Sequence, residues 1–328
     1  MDEYSIAGRD LSSITSQGEY VAYENTAKEQ VVERLKGADV AITNKVMIDG
    51  DAMRQLPDLK LICVAATGMN NVDLEAAKEL GIVVKNAVGY STTSVAETTL
   101  ASALALARNI VYFDEYFHDG RYAKADRAFC YDRFTFEIRG KKWGIIGLGN
   151  IGREVARLAS AFGCEVRYFS TSGAKREEAY PSMELKEMLE WCDILSVHSP
   201  LNERTRGLVG REELKVMKPT ALVINVARGG IIDEAALAEA LDNGWVAAAA
   251  LDVFSVEPLR ESPLYNIKDR YRLLASPHNA WSAAEAIDRL IECVANNIRT
   301  WKESHSGLYH RRKTMEMPMW ASPFFYYK

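Results

Sequence analysis

The sequence predicts an α/β protein built on two doubly wound parallel sheets. Short apolar runs of strand length alternate with segments of helical periodicity along the 328-residue chain, which is typical of parallel sheets covered by helices. At 143–152 an apolar run leads directly into a glycine-rich turn and a helix start. A final apolar helical stripe at 287–301 follows the last strand-like run and needs a surface to cover.

The first third of the chain is expected to form one sheet, and the chain from residue 143 onward a second one. Apolar strand-length runs lie at 19–23, 40–43, 59–65 and 82–85, then at 143–146, 165–169, 193–198, 221–226, 246–252 and 273–276. A single long helix is predicted over 94–118 as the link between the two sheets.

If the 287–301 helix returns to the first sheet, the second sheet is an insertion in the first domain. This gives a discontinuous domain of residues 1–103 and 283–328 and an inserted domain of residues 104–282. A cleft between two such domains is a common place for an active site.

Composition excludes several classes of function. The net charge of −5 gives no reason to expect a nucleic-acid partner. No apolar run approaches the length of a membrane span, and the first ten residues carry acids where a signal peptide carries bases, so a cytoplasmic location is expected. Five scattered cysteines without a C-x-x-C pair predict core residues and no disulfide framework, and no metal site is expected.

The glycine-rich turn has the spacing of a dinucleotide-binding loop. Gly147, Gly149 and Gly152 form G-x-G-x-x-G between a predicted strand and a predicted helix. In this motif the first glycine permits a tight turn, the second lets the backbone approach a pyrophosphate, and the third allows close helix packing. The N–H groups at the helix start then face the anion.

Three polar residues follow three successive predicted strands. Arg228, Glu257 and His278 each stand at the carboxyl end of a strand, the edge where open α/β sheets bind ligands. An arginine fork can hold a carboxylate or polarise a carbonyl. A carboxylate beside an imidazole favours the protonated ring, which suits a general acid in carbonyl reduction.

Four segments carry a family resemblance: Gly-Leu-Gly-Asn-Ile-Gly from 147, Asn-Val-Ala-Arg-Gly-Gly from 225, Asp-Val-Phe-Ser-Val-Glu-Pro from 252 and Ser-Pro-His-Asn-Ala from 276. Together they resemble the D-isomer-specific 2-hydroxyacid dehydrogenases over about residues 8–303. The segments at 65–73 and 85–98 are most similar to the glycerate dehydrogenase, or hydroxypyruvate reductase, branch.

This resemblance implies an NAD(P)-binding Rossmann domain inserted in a flavodoxin-like substrate domain, and NAD(P)H-dependent reduction of hydroxypyruvate or glyoxylate to D-glycerate or glycolate. It implies that Arg228 binds the 2-oxo acid, that His278 delivers a proton and that Glu257 orients His278. Thr67 and Gly68 would bind the substrate carboxylate through backbone N–H groups. Cofactor contacts are implied for Gly147, Gly149, Asn150, Ile151, Gly152, Ser170, Ser199, Val226, Ala227, Arg228, Asp252, His278 and Ala280. A homodimer is implied, with the 94–118 helix as the expected contact.

The chain departs from the family pattern in three places. Ser170 stands where NAD enzymes carry an acid for the ribose 2′-hydroxyl, and Lys175 and Arg176 follow it, so NADP is favoured over NAD, with dual use open. No apolar strand precedes residue 10, which predicts a first domain less stable than the second. The aromatic-rich end, 305–328, is expected to be a disordered extension rather than a surface that packs on a partner subunit.

Other functions remain open at this stage. Within the family, lactate-type, branched-chain and phosphoglycerate specificities are alternatives, whereas the formate dehydrogenases lack the glutamate that Glu257 supplies. A dinucleotide-sensing binding protein, like the corepressors of the same superfamily, would retain the same three residues, and fold alone does not exclude it.

Overall fold

The computed structural model describes residues 1–6, 8–173 and 178–305. The chain divides into two compact units, Met1–Tyr90 with Ala284–Lys328, and Ser91–Ala283. The first boundary therefore lies at 90/91 rather than at the expected 103/104. The reason is that the helix beginning at Thr92 is continuous and packs within the second unit, so a boundary at 103 would divide it.

The described elements alternate as the sequence predicts. The strands are β1 Val40–Thr43, β2 Leu61–Val64, β3 Val83–Asn86, β4 Lys142–Ile146, β5 Glu165–Phe169, β6 Ile194–Val197, β7 Leu222–Asn225, β8 Ala248–Leu251 and β9 Leu273–Ala275. The α-helices are α1 Ser12–Thr15, α2 Val31–Leu35, α3 Gly50–Arg54, α4 Leu74–Glu79, α5 Thr92–Arg108, α6 Ile110–His118, α7 Asn150–Ala161, α8 Leu185–Trp191, α9 Arg211–Val216, α10 Glu234–Asn243 and α11 Ala284–Ser304. Short 3-10 helices lie at Glu3–Ile6, Lys28–Gln30, Tyr122–Lys124, Pro263–Asn266 and Arg270–Arg272.

The second unit contains a parallel sheet in the order β5-β4-β6-β7-β8-β9. A parallel bridge between Tyr168 and Ser182 extends it beyond β5. Because β4 lies between β5 and β6, the connections from these strands diverge at this point, which is where such sheets bind ligands. Every residue of β6, β7 and β8 is buried, as expected when helices cover both faces.

The first unit contains a three-stranded parallel sheet in the order β1-β2-β3. Helix α11 packs on β2 and β3 and buries its apolar face. Leu290, Val294 and Ile298 lie on that face, at a spacing of one helical turn. The expectation that the last helix returns to the first sheet is therefore confirmed.

Two predicted elements were wrong. Residues 19–23 form no strand, because the apolar side chain among them, Val21, is 63% exposed and the segment has no sheet face to cover. The helix predicted over 94–118 is two helices, α5 and α6. Asn109 separates them with a left-handed φ of 49°, a conformation that asparagine adopts more readily than most residues.

The edge of β1 is covered by the first residues of the chain. The amino group of Met1 donates to the carbonyl of Ile42 at 2.8 Å. The buried carboxylate of Asp2 accepts the backbone N–H of Asn44 at 2.9 Å and that of Lys45 at 2.5 Å. These contacts satisfy backbone polar groups of β1 and of the two residues that follow it.

We expect the first unit to be the less stable one, since its sheet has three strands and the other has six. Amide hydrogen exchange should show faster exchange in β1–β3 than in β4 and β6–β8. Equal protection of the two sheets would contradict this prediction.

The cysteines are free, and their environments differ. Burial raises the pKa of Cys63 and of Cys192 to about 12 and that of Cys164 to about 11, so these thiols are inert core residues. Cys130 and Cys293 are partly exposed, contrary to the expectation that every cysteine lies in the core. In the described ranges no helix is both long and apolar enough to cross a bilayer, and no cluster of potential metal ligands is found.

Candidate active site

The glycine-rich turn joins the ends of three strands. Gly147 has a left-handed φ of 89°, and a Cβ there would lie 2.9 Å from the carbonyl oxygen of His198 and from Cβ of Ser199. Its N–H donates to the carbonyl of Phe169 at 2.9 Å. The loops that follow β4, β5 and β6 therefore meet at this turn, at the point where the strand order reverses.

Gly149 and Gly152 have opposite surroundings. A Cβ at Gly152 would lie 2.2 Å from the carbonyl oxygen of Gly147, so the helix packs too closely on the turn for any side chain. A Cβ at Gly149 would meet nothing within 4 Å. Helix α7 starts after Gly149 without a side-chain cap and without an acid in its first turn, which leaves the N–H groups around Asn150 and Ile151 available to an anion.

This contrast predicts different results for two alanine variants. Gly152→Ala should unfold at a lower temperature, because backbone must shift to admit the methyl group. Gly149→Ala should unfold at the temperature of the parent and bind dinucleotide at least about tenfold more weakly, because its methyl group occupies space the pyrophosphate needs. Thermal unfolding and titration calorimetry check both; unchanged affinity in Gly149→Ala would contradict a pyrophosphate at this turn.

A buried polar network lies beneath the turn, and sequence analysis did not identify it. Trp143 Nε1 donates to Ser196 Oγ at 2.9 Å, and Ser196 Oγ is 2.9 Å from His198 Nε2. Burial lowers the pKa of His198 to about 3, so the ring is neutral. His198 Nδ1 and Ser199 Oγ are buried without a hydrogen-bond partner among the described residues. The signal available in the sequence was the position of His198 and Ser199 directly after β6.

The depressed pKa of His198 predicts a loss of stability in acid. In the unfolded state this histidine has a pKa of about 6.5 and binds a proton below that pH, whereas the folded ring stays neutral. The free energy of unfolding therefore falls as pH drops from about 6.5 toward 3. The free energy of unfolding should be about 2 kcal/mol lower at pH 5 than at pH 8 for this group alone. The free energy of unfolding, measured with urea, should decrease less in acid for His198→Gln than for the parent. Equal decreases in the two proteins would contradict the assignment of this pH dependence to His198.

The loop after β5 carries hydroxyl groups in place of an acid. Ser170 Oγ lies 3.4 Å from Ser172 Oγ. Lys175 and Arg176, expected to favour a 2′-phosphate, lie outside the described residues.

Glu257 and His278 form the predicted pair. His278 Nδ1 lies 2.6 Å from Glu257 Oε2, and the other carboxylate oxygen accepts the N–H of Phe254 at 3.0 Å. About a quarter of the His278 side chain is exposed, 24%. With Nδ1 held by the carboxylate, Nε2 is the nitrogen left to exchange a proton with a ligand.

The backbone at His278 is held in an unusual conformation. Its φ is 55°, which is uncommon for a residue with a side chain. The buried carboxylate of Asp252 fixes the loop by accepting the Ser276 hydroxyl at 2.6 Å and the N–H groups of Asn279 and Ala280 at 2.8 and 2.9 Å. Asp252 therefore positions the loop that carries His278, whereas its expected cofactor contact stays a prediction.

The loop after β7 brings Arg228 toward the Glu257 loop. Asn225 spans this loop, accepting the N–H of Ala227 and donating to the carbonyl of Arg228 at 2.9 Å. A Cβ at Gly229 would lie 1.9 Å from the backbone of Phe254, so the two loops touch through a bare glycine. Because Phe254 donates to Glu257, the loops of all three predicted residues are linked. Val226, directly after β7, lines a cavity of about 300 Å³ together with Asp252.

Thr67 and Gly68 belong to the first unit. Thr67 follows β2, where its hydroxyl donates to the carbonyl of Ala87 at 3.1 Å and its carbonyl accepts Asn86 Nδ2 at 2.7 Å. Both bonds fix the turn, and among the described residues neither Thr67 nor Gly68 donates its backbone N–H to another group. The turn thus fits the predicted role of binding an anion.

Comparison with known proteins decides the family. The model of the NAD-binding domain of D-isomer specific 2-hydroxyacid dehydrogenases matches residues 100–280, more than half of the chain. The chain belongs to the D-isomer-specific 2-hydroxyacid dehydrogenase family. As a member it is an oxidoreductase that acts on the CH–OH group of small 2-hydroxy acids and reduces 2-oxo acids with a nicotinamide dinucleotide. The open turn at Gly149, the uncapped start of α7 and the unpartnered Ser199 hydroxyl fit that cofactor.

Several known proteins are similar to this chain over most of their length. Glycerate dehydrogenase of Methylorubrum extorquens is 38% identical over 288 residues, which cover 86% of this chain and 89% of the relative. Hydroxypyruvate reductase of Blautia hydrogenotrophica is 33% identical over 306 residues, covering 91% and 94%. The solved structure of an acyclic imino acid reductase (Bsp5) in complex with NADPH and D-Arg has a TM-score of 0.80 at 28% identity and covers 90% and 92%.

Proposed function

We propose that this dehydrogenase reduces hydroxypyruvate or glyoxylate to the corresponding hydroxy acid. The observation that carries the proposal is the 2.6 Å pair of His278 and Glu257, linked by backbone contact to the Arg228 loop. A proton carrier and a guanidinium fork at one sheet edge suit the reduction of a carbonyl. The relatives named glycerate dehydrogenase and hydroxypyruvate reductase support the choice of substrate.

In the proposed mechanism each residue has one task. The guanidinium of Arg228 binds the carboxylate and carbonyl oxygens of the oxo acid. His278 donates its Nε2 proton to the carbonyl oxygen, while Glu257 holds Nδ1 and orients the ring. The bound dinucleotide supplies the hydride.

Steady-state reduction of hydroxypyruvate, glyoxylate, pyruvate, 2-oxoisocaproate and 3-phosphohydroxypyruvate tests the proposal. Oxidation of the reduced nicotinamide is followed at each substrate concentration. We expect the highest kcat/KM with hydroxypyruvate or glyoxylate. A higher kcat/KM with pyruvate, 2-oxoisocaproate or the phosphorylated acid would assign another specificity of the family. Tight cofactor binding without any turnover would instead support a dinucleotide-sensing protein.

We propose NADP as the preferred cofactor, with NAD also accepted. The loop after β5 offers Ser170 and Ser172 where an acid would repel a 2′-phosphate. The reductase Bsp5, similar in structure, was solved with NADPH. The ratio of kcat/KM with NADPH to that with NADH tests this proposal, and a ratio below one contradicts it.

We also propose a homodimer, with the contact on α6 and the segment after it rather than on α5. Large aromatic side chains are exposed there: Phe117 at 62%, Phe129 at 74%, Tyr131 at 87% and Phe134 at 78%. Monomeric proteins rarely expose such patches without a partner. Sedimentation equilibrium of the parent should give twice the chain mass, and Phe129→Asp with Phe134→Asp should give the monomer. A monomeric parent would contradict the proposal.

A further inference from the structure

Arg204 reaches from the loop after β6 to the loop after β5. Its Nη1 donates to the backbone carbonyl of Ser172 at 3.1 Å. The residue is exposed, and among the described residues it forms no ion pair with a carboxylate. One hydrogen bond leaves the guanidinium with further N–H donors, which can bind an additional acceptor.

The loop that Arg204 contacts begins next to the glycine turn. The end of β5 is tied to Gly147 through the bond to Phe169, so the residues directly after Phe169 flank the site of the dinucleotide. In nucleotide-binding sheets of this order, the residue after the second strand lies at the ribose 2′ position. Here that residue is Ser170, and the guanidinium that contacts this loop, that of Arg204, comes from a different loop.

Hydrogen bonds within its own loop hold the main chain at Arg204. Asn202 Oδ1 accepts the N–H groups of Arg204 and Thr205 at 2.9 and 3.2 Å. Thr205 is fully buried, and its hydroxyl donates to the carbonyl of Pro200 at 2.7 Å. Little ordering of the backbone is therefore needed before the side chain binds an anion.

In the described part of these loops, acidic groups near Arg204 include Glu178 and Glu203. Glu178, which follows the β5 loop, is paired with Arg153 at 3.1 Å, so its charge is compensated. Glu203 is exposed beside Arg204 and opposes an anion weakly through water. The local balance favours a phosphate at the Ser170–Arg204 position over a neutral hydroxyl.

We infer that Arg204 binds the 2′-phosphate of NADPH, with the hydroxyls of Ser170 and Ser172 as further donors. This inference rests on the proposed function, since it presumes a nicotinamide dinucleotide as cofactor, and it identifies the residue that selects between the two forms. Phosphate bound by arginine is held through charge-assisted hydrogen bonds, which are stronger than neutral ones.

Titration calorimetry of adenosine 2′,5′-bisphosphate, 5′-AMP, NADPH and NADH tests the inference without any turnover. Arg204→Ala should bind NADPH and the bisphosphate at least about tenfold more weakly, with NADH and 5′-AMP within about twofold of the parent. Arg206→Ala, from the same exposed loop, is the matched control and should bind all four ligands like the parent. Glu203→Gln should bind NADPH equally well or more tightly, since it removes the opposing charge.

Salt dependence gives a second measurement. The affinity of the parent for NADPH should fall more steeply with ionic strength than that of Arg204→Ala, because one charge pair is lost in the variant. An unchanged NADPH affinity in Arg204→Ala, or an equal loss for 5′-AMP, would overturn the inference. So would a parent that reduces oxo acids with NADH and discriminates against NADPH, although the proposed reduction would then stand. A parent that binds neither dinucleotide would overturn both.

Discussion

Replacing Arg228 by alanine is expected to lower kcat/KM for 2-oxo acids about a thousandfold and to leave the affinity for dinucleotide unchanged. The guanidinium provides charge-assisted hydrogen bonds to the oxo acid, each worth about 1.5–3 kcal/mol, and two such bonds account for a loss of this size. The side chain makes one hydrogen bond within its own loop, to the carbonyl of Ala227 at 2.7 Å, so the fold should survive. Steady-state kinetics and calorimetric cofactor binding check both parts of the prediction.

Two further variants sharpen this test of Arg228. Arg228→Lys keeps the charge but loses the planar fork, so its kcat/KM should lie between those of the parent and the alanine variant. Arg211→Ala removes a surface arginine paired with Glu239 and should leave the kinetics unchanged. If Arg228→Ala released the cofactor, or reduced oxo acids at the parental rate, the assignment of Arg228 to the oxo acid would be wrong.

The sequence predicted the pairing of Glu257 with His278 because chain order and strand order coincide in this half of the sheet. Strands β7, β8 and β9 are neighbours and parallel, so residues that follow them meet at one edge. Nothing in the sequence showed the contact of Gly229 with the backbone of Phe254. That contact depends on the path of two loops, and loop paths carry no periodic signal.

The contact of Arg204 and the network of Trp143, Ser196 and His198 were not predicted from the sequence, for a related reason. The sequence gives the position of each residue relative to its own strand, but Arg204 contacts a loop that follows a different strand. Recognising that contact requires knowing that β4 separates β5 from β6. The sequence identified Trp143 only as an apolar strand residue. The hydrogen bond of its indole N–H becomes recognisable only when Ser196 is known to lie on the adjacent strand.

The division of the 94–118 segment into two helices was not predictable from the apolar pattern either. The apolar periodicity runs through Asn109, and only its left-handed conformation ends α5 and starts α6. As a result, Phe117 of α6 is 62% exposed, whereas α5 packs against α7, β7 and β8. The dimer contact expected on the 94–118 helix is therefore proposed for its α6 part.

Glu257 and His278 are expected to act together in proton transfer, and variants of this pair give the second prediction of large effect. His278→Gln removes the proton donor, so kcat for reduction should fall about 10²–10⁴-fold with cofactor affinity retained. Glu257→Gln keeps the shape of the side chain and loses its charge, so its kcat should fall less. Stopped-flow reduction with saturating cofactor measures these rates directly, and Tm values confirm that the variants are folded.

A double variant separates positioning by Glu257 from a direct action on the substrate. The carboxylate lies 2.6 Å from Nδ1 of His278 and holds the imidazole, so that Nε2 is the nitrogen that exchanges the proton. The double variant Glu257→Gln/His278→Gln should be no slower than His278→Gln alone, because the carboxylate acts through the imidazole. Additive losses would mean that Glu257 acts on the substrate independently, and the pair would then lose its assigned role.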